Sequence, residues 1–142
     1  ASLAALTALS DLDLEGCRHV GDAGLTTLAR GCLALETLVL GGCGRLGDAG
    51  VGALSALPNL RTLNVAWCRL IGDGGVERLS TGASCLADLD LFMCRGVGDA
   101  GLYALLAGGV PLTSLNLGGT AVREVAMRRA EKARPAMRIT RL

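Results

Sequence analysis

Cys17, Cys43, Cys68, Cys94 and Thr120 stand 26, 25, 26 and 26 residues apart. Eight, five and three residues before each comes an apolar side chain: Leu9, Leu12, Leu14; Leu35, Leu38, Leu40; Leu60, Leu63, Val65; Leu86, Leu89, Leu91; and Leu112, Leu115, Leu117. The pattern L-x-x-L-x-L-x-x-C therefore occurs five times in register, with Thr120 in the cysteine slot of the last copy. One such unit cannot bury its apolar face alone, so repetition at this period obliges each copy to stack on the next. Residues 1–142 read as a single array of about five repeats.

Each unit has the same local logic. The L-x-L step alternates with period two, which puts both leucines on one face of a short strand. Strands are expected near 9–15, 35–41, 60–66, 86–92 and 112–118. Three residues past each cysteine is an apolar side chain, followed by Gly21-Asp22, Gly47-Asp48, Gly72-Asp73 and Gly98-Asp99. Glycine permits the turn, and Asp22, Asp48, Asp73 and Asp99 suit the N-cap of the helix that follows. The helices then show apolar pairs at i, i+3 (Leu25 and Leu28, Val51 and Leu54, Val76 and Leu79, Leu102 and Leu105), and Gly31, Gly82 and Gly108 or Pro58 and Pro111 end them. The fold class is α/β: a solenoid or horseshoe with parallel strands on the concave face and helices on the convex face.

In such a stack Cys17, Cys43, Cys68 and Cys94 form an inward ladder, rungs roughly 5 Å apart. Each is a small buried hydrophobe whose S–H can donate weakly to a neighbouring carbonyl. Zinc needs ligands converging on a point, and these lie along a line, so no metal and no cofactor is expected. Cys32 and Cys85, near helix ends, read as part-buried thiols. His19 follows Cys17 closely, but a ladder thiol faces inward and is inert, so this is no nucleophile pair. The aspartate column lacks the extra oxygens that calcium requires. Nothing here requires an enzyme.

The units "CRHVGDAGLTTLARGCLALETLVLGGC" and "CRGVGDAGLYALLAGGVPLTSLNL" resemble the cysteine-containing leucine-rich repeats best known from F-box proteins, whose pattern is C-x-x-I-T-D-x-G-L-x-x-L-A. Here Gly precedes the Asp where that pattern has Thr. The Gly-Asp-Ala-Gly run is also similar to the GALA-type repeats of bacterial effectors. The resemblance spans essentially the whole chain and implies a protein-interaction module, the repeats holding the substrate of a ubiquitin ligase. The same repeats occur in ciliary, nuclear and signalling scaffolds. A structural adaptor within a large assembly such as an axoneme is therefore the alternative that the resemblance leaves open.

No run of eighteen apolar residues is present, which argues against a membrane-spanning helix. "ASLAALTALS" lacks the basic start of a signal peptide, and no N-x-S/T site follows any asparagine, so a reducing intracellular compartment is expected, cytoplasm or cilium. Residues 1–8 align with the back half of a repeat, Leu3, Leu6 and Leu9 matching Leu54, Leu57 and Leu60. "PAMRITRL" opens a further strand, in the register of Met137, Thr140 and Leu142 or in a shifted one. Both ends suggest a fragment of a longer solenoid.

Net charge is +1, unevenly spread: residues 1–120 carry 7 Arg against 11 acids, and residues 121–142 carry 6 Arg and 1 Lys against 2 Glu. Arg123, Arg128, Arg129, Lys132 and Arg134 make the last helix basic, either as a solvated end or as a patch for an acidic partner. Nucleic acid fits poorly, because no aromatic rings interleave with the charges. On the concave face most outward positions are small or polar. Trp67, Phe92 and Met93 are the exception, on adjacent repeats beside Asn64, Asp88 and Asp90. Aromatic and Met side chains ringed by polar groups make interface anchors, so these six are the candidate partner-binding residues. A Trp before the ladder cysteine could equally lie over the neighbouring loop.

Overall fold

A computed structural model describes residues 6–141. Leu3 and Leu142, used in the alignments above, lie outside the described residues. Strands and helices alternate: β1 Asp11–Asp13, α1 Asp22–Gly31, β2 Thr37–Val39, α2 Asp48–Ala53, β3 Thr62–Asn64, α3 Asp73–Gly82, β4 Asp88–Asp90, α4 Asp99–Ala107, β5 Ser114–Asn116, α5 Glu124–Ala133 and β6 Arg138–Thr140. A single 3-10 turn, Leu54–Ala56, extends α2. Among the described residues six strands form one parallel sheet in chain order. Its register is that of the cysteine alignment, with Leu12, Leu38, Leu63, Leu89 and Leu115 side by side.

The strands are three residues long, shorter than the seven expected. Rung-to-rung hydrogen bonding does run further, as in Leu40 N–H to Asn64 O and Trp67 N–H to Phe92 O, both short. The regular strand ends because an Asx turn bends the chain out: Asp13, Asn64, Asp90 and Asn116 each accept the N–H two residues on. The sixth strand takes the shifted register, with Ile139 opposite Leu115, while Met137 is buried just before it.

Leu38, Leu63, Leu89 and Leu115 are at most 1% exposed, and the apolar side chains flanking them in the L-x-x-L-x-L pattern at most 4%. A fully buried leucine is worth about 1.5–3 kcal/mol, so these columns drive stacking. The cysteines set the fit between rungs. Sγ of Cys43, Cys68 and Cys94 donates to the carbonyls of Leu14, Leu40 and Val65, at 3.4, 3.2 and 3.2 Å. Burial pushes the Cys68 thiol up to about 11 and Cys94 up to about 12. Two expectations need correction. Cys17, on the first described full rung, is exposed and not sealed inside. Cys32 is fully buried, not part-buried.

The aspartates also depart from expectation. Gly21, Gly47, Gly72 and Gly98 are the N-caps, in extended conformation, and none of these helices has a side-chain cap bond. Asp22, Asp48, Asp73 and Asp99 sit one place inside and serve the next rung. Asp22, Asp48 and Asp73 accept the N–H of Gly47, Gly72 and Gly98 at 2.8, 2.6 and 2.7 Å, and Asp99 accepts that of Arg123 at 2.8 Å. Asp73 also takes the Gly101 N–H at 2.9 Å. Each carboxylate thus satisfies the exposed amides at the start of its neighbour's helix, where the dipole also favours it. The caps exist, but between repeats.

That reach explains the second glycine of Gly-Asp-x-Gly. A Cβ on Gly75 would lie 2.8 Å from Asp48 Oδ1 and 2.8 Å from Val51 Cγ1, whereas a Cβ on Gly24, in the same slot of the first helix, meets nothing within 4 Å. Gly75→Ala should therefore destabilise, while Gly24→Ala should be neutral or stabilise by about 0.5–1 kcal/mol. Urea unfolding of the two variants reads this directly; equal shifts in one direction contradict it.

Cys68→Ala should cost about 1–3 kcal/mol through lost packing and an unpaired Leu40 carbonyl. The raised thiol pKa values mean that the folded state holds its protons more tightly than the unfolded chain. Their stabilisation is complete below the ordinary thiol value of 9.0 and is lost as pH climbs through about 11 to 12. Thermal unfolding from neutral to alkaline pH should show the wild type falling over that span and Cys68→Ala falling less. An unchanged midpoint for Cys68→Ala contradicts the ladder.

Candidate functional site at the strand-to-helix edge

Along the edge where each strand turns towards its helix, the residue before the ladder slot adopts left-handed backbone. The column runs Gly16, Gly42, Trp67, Met93 and Gly119, with φ of 72, 73, 64, 61 and 70°. Glycine takes this conformation without a steric penalty, whereas a residue with a Cβ loses roughly 1–2 kcal/mol. The two middle rungs carry that cost at Trp67 and Met93, the only non-glycine residues with positive φ among those described. Held strain of this kind clusters where a side chain is needed in a particular place.

Trp67 is 45% exposed. Its ring meets Phe92 edge-on, centroids 5.6 Å apart and planes at 77°, the favourable arrangement for two aromatic quadrupoles. The Trp67 backbone N–H donates to Phe92 O at 2.8 Å, fixing one residue over the other. Met93 in turn reaches on to the following rung: its sulfur occupies the space that a Cβ on Gly119 would need. A continuous ridge therefore runs from Trp67 over Phe92 and Met93 to Gly119. Its floor is small, since Ala66, Gly118 and Gly119 flank it.

The polar candidates divide. Asn64 and Asp90 spend one side-chain oxygen on their Asx turns, accepting the N–H of Ala66 at 2.9 Å and of Phe92 at 2.8 Å. They position the ridge. Asp88 is exposed on β4. Sequence reasoning missed Leu70, which is 63% exposed on the same edge. The signal was available: its slot holds His19, Arg45 and Gly96 in the other rungs, so a leucine there is out of place.

The basic last helix is paired only in part. Arg123 pairs with Asp99 at 2.6 Å, and Arg128 with Glu124 at 3.1 Å. Arg141 folds back onto Glu124 and Glu131. The Arg123 backbone N–H, then its guanidinium, holds Asp99 below the usual carboxylate range. Arg134 is turned inward onto the Val110 carbonyl at 2.8 Å. Arg129 and Lys132 remain exposed without an ion pair. Among the described residues no three His, Cys, Asp or Glu side chains converge as a metal site would need, and no helix is long and apolar enough to cross a membrane.

A repeating parallel strand and helix, one per turn, with an internal cysteine ladder, defines a leucine-rich-repeat solenoid. The leucine-rich-repeat family model matches residues 6–29, 31–55, 56–80 and 81–106, and the chain belongs to that family. No curated protein sequence matches it. Among solved structures, it is similar to a chain of the yeast Rad7 and Elc1 complex, with 22% identity and a TM-score of 0.61, over 87% of this chain. It spans only 32% of that chain. It is also similar to the tropomodulin C-terminal domain of Caenorhabditis elegans, with 14% identity and a TM-score of 0.69, over 95% of this chain and 90% of that one. At these identities the likeness is one of fold.

The strain at Trp67 has a measurable signature. Trp67→Ala keeps the positive φ and loses the ring, whereas Trp67→Gly loses the ring and relieves the backbone. Trp67→Gly should be more stable than Trp67→Ala by about 1 kcal/mol. Denaturant midpoints decide; a glycine variant less stable than the alanine one contradicts it.

Proposed function

We propose that the chain is a protein-binding module whose partner contacts the concave side of the sheet at the Trp67, Phe92 and Met93 ridge. The observation that carries this reading is the column of left-handed residues. Trp67 and Met93 stand where the equivalent rungs have glycine, and they present a large side chain at a cost in stability. An exposed Trp67 backed by half-buried Phe92 and Met93 on a floor of small residues is what an interface anchor needs. Asp88 and the outer oxygen of Asp90 supply a polar rim.

The more particular reading is that these repeats hold the substrate of a ubiquitin ligase of the F-box/leucine-rich-repeat type. It rests on the cysteine-containing repeat pattern, with the inward S–H bonds of Cys43, Cys68 and Cys94 as its structural counterpart. The competing reading is a structural adaptor without a ubiquitin role.

Affinity capture of the full protein separates these readings by whether ubiquitin-ligase subunits accompany it. With a captured partner in hand, Trp67→Ala and Phe92→Ala should each weaken binding by about 2 kcal/mol or more and change the unfolding midpoint little. If both lower the midpoint sharply and leave affinity alone, the ridge is part of the packing and the proposal fails.

A further inference from the structure

The edge that carries Trp67 also carries a line of unpaired positive charge. Arg18, Arg69 and Arg95 occupy the same slot, directly after the ladder cysteine, and Arg45 lies one place further on its own rung. The bridges Gly21 to Arg45, Gly47 to Leu70 and Gly72 to Gly96 stack these loops in register. Successive rungs are roughly 5 Å apart. All four arginines are exposed. Among the described residues none of them is in an ion pair, whereas Arg123, Arg128 and Arg141 all are. The acids that follow these arginines, Asp22, Asp48, Asp73 and Asp99, are turned into the stack by the amides they accept, and Glu15 lies three residues before Arg18 on the first rung. Trp67 and Leu70, 45% and 63% exposed, lie on the same edge, on either side of Arg69 in the sequence.

We propose that this strand-to-helix edge binds a short acidic segment of a partner protein, laid across the repeats with an apolar side chain against Trp67 and Leu70 and carboxylates on Arg45, Arg69 and Arg95. The inference rests on the protein-binding reading of Trp67 and adds the chemistry of what is bound. Guanidiniums form two-pronged bonds with carboxylates, and their attraction is strongest beside an apolar surface that excludes water. The rung spacing lies between one and two residues of an extended chain, so closely spaced acidic side chains reach neighbouring rungs. Nucleic acid fits less well. Asp88 and Asp90 on β4, and Asp11, Asp13 and Glu15 on the first rung, would repel a long polyanion crossing the sheet. Trp67 already gives its ring edge contact to Phe92, so no free series of stacking platforms exists.

Trp67 is the chain's single tryptophan and serves as its own reporter. The probes are a glutamate-rich peptide with one central leucine, the same peptide with glutamine for glutamate, and a thymidine oligonucleotide. The acidic peptide should change Trp67 fluorescence with saturation, and high salt should abolish the change. Arg45→Glu, Arg69→Glu and Arg95→Glu combined should weaken binding by about tenfold or more. Arg30→Glu, Arg61→Glu and Arg129→Glu combined, which alter net charge equally away from the edge, should leave it within about twofold. Circular dichroism confirms that both remain folded; if the edge triple variant unfolds, the single Arg69→Glu variant carries the test with a smaller loss of the same sign. No binding of the acidic peptide, equal binding of the glutamine peptide, equal loss in the control variant, or tighter binding of the oligonucleotide each overturns the proposal. If the edge reversals leave a captured partner bound while Trp67→Ala releases it, the acidic-segment inference fails and the protein-binding reading stands.

Discussion

Everything in this molecule depends on side chains of one rung satisfying backbone groups of the next. The leucine columns supply the drive for stacking, but apolar burial has no direction and would tolerate a slipped rung. Direction comes from two polar ladders. On the inner side Cys43, Cys68 and Cys94 reach back to a carbonyl of the rung before. At the helix starts Asp22, Asp48 and Asp73 reach forward to the amide of the rung after. A one-residue slip would break both and bury unpaired polar groups, each costing about 1–3 kcal/mol. The register is therefore specified twice.

These ladders tie the motif to its glycines. The Asp carboxylate approaches the next helix so closely that the residue at its third position has no room for a Cβ, as at Gly50, Gly75 and Gly101. At the other bend glycine serves a different purpose, allowing positive φ at Gly16, Gly42 and Gly119. Trp67 and Met93 break only the second rule. The departure falls on adjacent middle rungs, beside Phe92, and nowhere disturbs the ladders, so function can be placed there without dismantling the stack.

The architecture was legible in the sequence because a fixed period with in-register leucines admits one way of burying them. Leu12, Leu38, Leu63, Leu89 and Leu115 could be aligned by eye and are adjacent in the sheet. Direction between rungs was not legible. An aspartate before a helix looks the same whether it caps its own helix or the next, and only geometry distinguishes them. The last strand was open for a similar reason: without a cysteine slot to count from, Ile139 had no marker, and its place opposite Leu115 follows from the shortened loop and α5. For the site, the aromatic trio stood out by composition, but the strain beneath Trp67 and Met93 is a backbone property. Three glycines in the same column were its only trace. Pairing of the basic tail with Glu124 and Glu131 depends on Arg141 folding back, which charge counting cannot reveal.

The central claim is that the strand-to-helix edge of the middle rungs is the contact surface. Amide hydrogen exchange of the protein alone and with a co-purified partner tests it most directly. The account predicts added protection confined to residues 64–71 and 90–96, with the outer helices α1 to α4 unchanged. Protection appearing instead on those helices, with the Trp67 and Met93 segments exchanging as in the free protein, would contradict it.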